Sequence, residues 1–106
     1  MALVQGNFWS ETQAGTDAAT SATHAAINTN VHVVTSISGH VDEDQTLTIE
    51  SPAATILWQA AIDVSVEGTS FNFPGLSVVG ASGKAIIGKL AGSNADCQVN
   101  ISGHTI

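Results

Sequence analysis

The amino-acid sequence predicts an all-β protein, a compact antiparallel β-sandwich or jelly-roll-like barrel of short strands with an extended N-terminal arm. Apolar and polar residues alternate with a period of two in several short runs, which is typical of strands with one buried face. Turn-forming residues separate these runs at intervals of roughly ten residues. The tetrapeptide Ile-Ser-Gly-His ends two of the runs, at residues 37–40 and 101–104. Similar short strands at regular spacing favour a sandwich or a barrel.

The first segment, residues 1–30, is predicted to be a mostly irregular N-terminal arm. Residues 10–30 are rich in Ala, Thr and Ser and show neither the helical nor the strand period. Thr and Ser side chains compete with helix formation, so the Ala-rich part supports at most a helical turn. The aromatic pair Phe8-Trp9 is expected either to pack on the protein's own core or to anchor a neighbouring subunit.

The second segment, residues 31–106, is predicted to be a β-sandwich domain. Its predicted strands, in chain order, are 31–38, 45–50, 55–58, 60–66, 71–76, 77–79, 84–90 and 96–102. In the strand 60–66 we expect Ile62, Val64 and Val66 to face the core, because they alternate with polar residues. Because Ile37 and Ile101 begin the two copies of the repeated tetrapeptide, the first and last of these strands are expected to pair.

The charge balance excludes several classes of partner. The chain has 106 residues with two Lys or Arg and nine Asp or Glu, which gives a net charge of −7. Binding to nucleic acid depends on Lys and Arg, so no nucleic-acid partner is expected. The same shortage argues against binding to an anionic membrane. The first residues lack the pattern of a signal peptide, so we expect the chain to be made and folded in a cytoplasm.

The sequence contains no recognisable catalytic or cofactor motif, so we expect no catalytic residues, no cofactor and no metal. Cys97, the single cysteine, is interpreted as a buried structural thiol, with an intermolecular disulfide or a nucleophile as the alternatives. The acidic run 42–44 is interpreted as a solvated turn rather than a Ca²⁺ loop. Zinc ligands usually come in closely spaced pairs, and the four His residues do not. They are interpreted as surface or turn residues, and the one alternative that stays open is a trimer axis that gathers one His from each subunit.

The combination of a flexible arm, a short-stranded β domain, little charge and no cofactor motif resembles the small decoration, or cement, proteins of tailed-bacteriophage heads. The resemblance covers the whole chain, with the arm followed by the strands from Val31 to Ile106. It implies a non-enzymatic virion protein, commonly a homotrimer, that binds the major capsid protein on the outer surface of the head and stabilises it. The residues expected to contact the capsid are in the arm: Phe8, Trp9, Thr12, Thr16, Thr20 and Thr23.

An alternative of another class is a sugar- or receptor-binding β module from a phage tail or a bacterial surface. This alternative needs exposed aromatic residues in a loop, since aromatic rings are common platforms for ligands. The segment 71–76 supplies the expected ligand loop, with Phe71, Phe73 and Leu76. Trp58 lies beside other apolar residues and is expected to pack in the core.

Overall fold

The computed structural model describes residues 7–15, 20–65, 69–92 and 96–106, which form nine β-strands. The strands are β1 (Phe8–Gly15), β2 (Thr20–His24), β3 (His32–His40), β4 (Gln45–Glu50), β5 (Ile56–Ile62), β6 (Ser70–Phe73), β7 (Val78–Val79), β8 (Ile86–Leu90) and β9 (Cys97–Thr105). No helix in these ranges has the length and hydropathy that a bilayer crossing requires.

The strands form two packed antiparallel sheets, so the prediction of an all-β sandwich is confirmed. The five-stranded sheet has the order β1-β9-β3-β6, and β7 also pairs with β3. The four-stranded sheet has the order β2-β8-β4-β5. The pairs β1·β9, β2·β8, β3·β6 and β4·β5 are nested within one another along the chain. This is the strand order of a jelly roll, in which one long antiparallel hairpin is rolled up until β9 meets β3 and β8 meets β4.

The core lies between the two sheets and is built from large aliphatic side chains. Along β9 every second residue is buried, from Cys97 to Thr105, because successive side chains of a strand point to opposite faces. The opposing sheet contributes Leu47, Ile49 and Leu90, all fully buried. Cys97 is buried among them, as predicted, and its sulfur lies 3.2 Å from the hydroxyl of Thr20.

The repeated tetrapeptide marks the pairing of the two central strands of the five-stranded sheet. Ile37 of β3 lies directly opposite Ile101 of β9, which confirms the predicted pairing. The glycines of the two copies allow this close approach. A methyl group on Gly39 would overlap the carbonyl oxygen of Gln98, and one on Gly103 would overlap that of Val33. Each copy of the repeat therefore places a glycine at a position where the facing backbone comes too close for a Cβ atom.

The prediction of a mostly irregular arm over residues 1–30 is wrong for the part of that segment that the structure describes. Residues 8–15 form β1, which pairs with β9 along its full length, and residues 20–24 form β2, which pairs with β8. Backbone hydrogen bonds to these neighbours stabilise strands whose own sequence has no clear apolar alternation. Each strand closes one edge of a sheet, so both belong to the sandwich.

The predicted strands 55–58 and 60–66 are a single strand, β5, which ends at Ile62. The register of β5 against β4 shifts beside Leu57, which is the signature of a β-bulge. After Ile62 the chain turns, because the Asp63 carboxylate accepts hydrogen bonds from the backbone N–H and the hydroxyl of Ser65. Ile62 is in the core and Val64 packs against its margin. Val66 lies outside the described residues.

Candidate functional site

The connections between strands gather at two ends of the sandwich, and these ends differ in chemistry. The connections β3–β4, β5–β6 and β8–β9 meet at one end. The connections β2–β3, β4–β5 and β7–β8 meet at the other, together with the start of β1 and the end of β9. A nine-residue strand spans about 30 Å, more than either short dimension of the molecule, 24 and 20 Å. The two ends therefore lie at opposite poles of its long axis.

The first pole is named the acidic end. Most of the acidic residues that the structure describes lie there: Asp42, Glu43, Asp44, Asp63 and Asp96. The β3–β4 turn carries three of them in succession, and all three are exposed. Asp44 accepts a hydrogen bond of 3.0 Å from the backbone N–H of Val64, and Asp96 lies 3.3 Å from the imidazole of His40. The hydrogen bonds from Ser65 hold the pKa of the Asp63 carboxyl below its ordinary value. This end is therefore a negatively charged surface.

The second pole, the apolar end, holds all the large apolar residues that are exposed in the described ranges. These residues are 41% to 68% exposed: Phe8, Ile27, Ile56, Leu57, Val79 and Ile106. The other two described acids both make hydrogen bonds, and Glu11 is half-buried whereas Glu50 is buried. Large apolar patches on a soluble protein usually mark an interaction site. The apolar end is accordingly the candidate functional site.

Hydrogen bonds fix the loops of the apolar end in relation to one another. Val31 and Ile106 exchange two backbone hydrogen bonds, which hold the C-terminal residue beside the β2–β3 loop. The hydroxyl of Ser51 donates to the carbonyl of Ala85 at 2.7 Å and accepts from the N–H of Ala81 at 3.0 Å. It thereby joins the β4–β5 loop to the β7–β8 loop. An apolar surface held in this way is formed before any partner arrives, which lowers the entropic cost of binding.

The apolar end continues onto the outer face of the five-stranded sheet as one row of side chains. In the strand register His104 is opposite both Phe8 and Val33, and Val33 is opposite Val79. The rings of Phe8 and His104 lie 6.1 Å apart. Val33 is almost fully buried within this row, although it points away from the core. The row therefore forms a packed apolar margin at the end of the sheet.

The six residues predicted to contact the capsid do not share one surface. Phe8 belongs to the apolar end, and Thr12 is exposed on the outer face of the five-stranded sheet. Thr23 is exposed on the four-stranded sheet. Thr20 is buried at the acidic end against Cys97, so it has no surface to offer. Thr16 lies outside the described residues.

The remaining predicted contact, Trp9, packs inside the sandwich in a polar aromatic cluster. Its indole stacks on the imidazole of His24 at 4.2 Å, and His24 lies 4.5 Å from His32. The Nδ1 atom of His24 is 2.8 Å from the Glu11 carboxylate. The indole N–H of Trp9 is buried and has no hydrogen-bond partner. This cluster ties β1, β2 and β3 together beneath the apolar end, which is a structural role.

The predicted ligand loop 71–76 is not an exposed aromatic platform, and that prediction is wrong. Phe71 is only 6% exposed and is part of the core. Phe73 is half-buried and packs edge-on against Trp58 at 5.2 Å. Leu76 is half-buried, and its backbone N–H donates to the carbonyl of Thr35. Phe71 and Phe73 occupy inward positions of β6, and Leu76 lies in the turn that follows. All three side chains therefore pack against the core.

The imidazoles do not form a shared site within the described part of the chain. His40 is opposite Gln98 whereas His104 is opposite Val33, so the two lie at opposite poles of one sheet. Both nitrogens of His32 are already engaged, with the hydroxyl of Thr105 and the carbonyl of Ala25. Among residues 7–15, 20–65, 69–92 and 96–106 no three His, Cys, Asp or Glu side chains are grouped as metal ligands.

Sequence reasoning missed five of the six residues of the apolar end. Only Phe8 was predicted to be at a surface contact. The others lie in the β2–β3 loop, at the start of β5, in β7 and at the last residue, and no local pattern links them. Comparison of the chain with family models, with curated proteins and with solved structures finds no match.

Proposed function

We propose that this chain is a non-enzymatic virion structural protein, a decoration protein that attaches to the outer surface of a phage head. The proposal joins the resemblance of the sequence to one observation, the separation of exposed apolar and acidic residues to opposite poles. In this arrangement the apolar end contacts the major capsid protein and the acidic end faces solvent. Binding that favours the assembled lattice stabilises it by mass action, as any ligand of a native state does.

The size of the apolar end supports attachment through several copies. The apolar end extends only over the two short dimensions of the molecule, 24 and 20 Å, whereas a stable protein interface takes about 800 Å² from each partner. One copy alone would therefore bind weakly. A homotrimer that presents three apolar ends to a repeating lattice gains affinity through effective concentration. Such a homotrimer is the arrangement that the resemblance implies.

The first test compares variants of the apolar end with a control in binding to heads. Ile27→Asp combined with Ile106→Asp places two carboxylates in the apolar end at exposed positions. The binding target is the DNA-free, expanded head of the phage that encodes the chain, prepared without this protein and mixed with it before sedimentation. We expect at least tenfold weaker binding for the double variant, because a buried carboxylate loses its hydration.

The matched control is Gln59→Asp, which adds one carboxylate at an exposed position in the middle of β5. We expect this control to bind heads as the unchanged protein does. Equal binding by all three proteins, or no binding by the unchanged protein, would contradict the proposal. Light scattering gives the second readout, and a mass near three times 10.8 kDa is expected for the free protein.

A further inference from the structure

A second surface, outside the apolar end, also has the chemistry of a binding site. It is the rest of the outer face of the five-stranded sheet, here called the polar face. Its residues alternate with inward-facing residues on four adjacent strands: Ser10, Thr12 and Ala14 of β1, Gln98, Asn100 and Ser102 of β9, Ser36, Ser38 and His40 of β3, and Ser70 and Asn72 of β6.

The polar face is rich in hydrogen-bonding groups and has no Asp, Glu, Lys or Arg. Only 10% of the chain's residues are charged, and none of them lies at these eleven positions. Charged residues flank the face at the acidic end, where Asp96 is beside His40. A charge-free face excludes partners held by ion pairs, such as nucleic acids and anionic polymers.

The side chains of the polar face are arranged in rows across the strands. One row runs from Thr12 through Asn100 and Ser38 to Asn72, in the register of the three strand pairs. The next row runs from Ala14 through Gln98 and His40 to Ser70. Neighbouring groups are spaced about 4.8 Å across the strands and about 6.8 Å along them. The result is a regular grid of amides, hydroxyls and imidazole.

Hydrogen bonds within the grid hold its central side chains in place. The amide of Gln98 donates to Asn100 at 2.9 Å, and the amide of Asn100 donates to the backbone carbonyl of Ser38 at 3.4 Å. The hydroxyls of Ser36 and Ser102 also hydrogen bond to each other. Each of these groups keeps further donors or acceptors for a ligand, since amides and hydroxyls make more than one hydrogen bond. Side chains fixed beforehand lose less entropy when a ligand binds.

We propose that the polar face binds a neutral polysaccharide that lies across its strands. A polyhydroxylated, uncharged chain matches a charge-free grid of donors and acceptors. A protein partner fits less well, because the cores of protein interfaces are enriched in aromatic residues, Met and Arg. Phe8 lies at the border of the face, is 60% exposed and can stack on the apolar face of a sugar ring. This site replaces the loop 71–76 as the place where a sugar would bind, and Phe8 is the one residue that it has in common with the apolar end.

The test uses three neutral polysaccharides, dextran, soluble starch and galactomannan, with heparin as the anionic comparison. In native gels that contain each polymer, the unchanged protein is expected to be retarded by at least one neutral polymer and not by heparin. Retardation is expected to be insensitive to salt, because no ion pairs form. Amide chemical shifts on titration with oligosaccharides of the retarding polymer should change on β1, β9, β3 and β6.

The variants Thr12→Asp and Asn72→Asp place a carboxylate at exposed positions of the polar face, and they are expected to weaken retardation at least fivefold. The control Gln59→Asp and the apolar-end double variant should be retarded like the unchanged protein. Thermal unfolding of each variant shows whether it is folded. Three outcomes would overturn the proposal: no retardation by any neutral polymer, equal retardation of the polar-face variants, or shift changes confined to the loop 71–76. Loss of head binding in the apolar-end variant alone leaves this result unaffected.

Discussion

At the scale of single residues, glycines decide how closely the central strands pack. Gly103 has ordinary backbone angles, and it is required because a methyl group there would overlap the carbonyl oxygen of Val33. Gly75 is the opposite case. It has a φ of 70° and nothing lies within 4 Å of the position of an added methyl group. Substitution of Gly103 therefore tests the effect of steric overlap, and substitution of Gly75 tests the effect of backbone conformation.

We predict that Gly103→Ala destabilises the fold more than Gly75→Ala does. Overlap with a backbone atom cannot be relieved by a rotamer change, so β3 and β9 must move apart, at a cost of about 2–3 kcal/mol. Gly75→Ala strains only the left-handed backbone conformation, which costs about 1 kcal/mol. Urea denaturation measures both free energies of unfolding. Equal losses would mean that the approach of Gly103 to Val33 does not limit stability.

At the scale of elements, β4 shows where sequence patterns succeed. Its predicted bounds, 45–50, are the observed ones, because Leu47 and Ile49 alternate with polar residues. Thr48 and Glu50 alternate with these residues and so face the other side of the sheet, yet both are buried. Glu50 accepts hydrogen bonds from the backbone N–H of Ala54 at 2.8 Å and from the hydroxyl of Thr48 at 2.9 Å. The carboxylate therefore fixes the β4–β5 loop of the apolar end.

The Glu50 carboxylate is predicted to make stability depend on pH. Burial raises the pKa of Glu50, but the hydrogen bonds from Ala54 and Thr48 and the charge of Lys89 outweigh it, so the pKa lies below its ordinary value of 4.5. A lowered pKa means that the carboxylate stabilises the fold above pH 4.5 and that this contribution is lost as the pH falls through the folded value.

The variant Glu50→Gln tests this prediction. It is expected to lower the free energy of unfolding by about 1–2 kcal/mol at pH 7. The difference from the unchanged protein should shrink as the pH falls below 4.5. Thermal or urea unfolding at several pH values measures it, with Glu43→Gln in the exposed β3–β4 turn as the control. A difference that is the same at pH 7 and pH 3 would exclude the carboxylate as the cause.

The strands β1 and β2 show where sequence patterns fail. The inward positions of β2 are Thr20 and Ala22, which carry little apolar signal, although both are almost fully buried. The inward face of β1 begins with Trp9 and continues with the part-buried Glu11. These strands form because β8 and β9 offer unpaired backbone edges, and that information lies far away in the sequence. A local period cannot predict such strands.

At the scale of the whole molecule, pairing between distant segments makes the chain a single folding unit. The first strand, β1, pairs with the last strand, β9, and the second strand, β2, pairs with β8. The fold class and the pairing of β3 with β9 were predictable, because apolar alternation and the repeated tetrapeptide are visible in the local sequence. The apolar end was not predictable, because its residues meet only after the roll closes.

A chain that begins at Val31 is predicted not to fold cooperatively, although the domain division from sequence expects it to fold. Removal of residues 1–30 deletes β1 and β2 and exposes the edges of β9 and β8, which invites aggregation. A chain that begins at Asn7 retains all nine strands and is expected to unfold like the full chain. Circular dichroism during heating measures both. A sharp transition for the shorter chain would restore the division at residue 30.

The pairing of β1 with β9 also determines where a label can be attached. Phe8 is opposite His104, so both the start of the first strand and the end of the last emerge within the apolar end. A purification tag or a fluorescent protein joined at Ile106 would cover the surface proposed to contact the head. The β3–β4 turn, with the exposed residues Asp42 and Glu43, lies at the opposite pole. A reporter inserted there leaves the apolar end uncovered, so the labelled protein suits the proposed test of head binding.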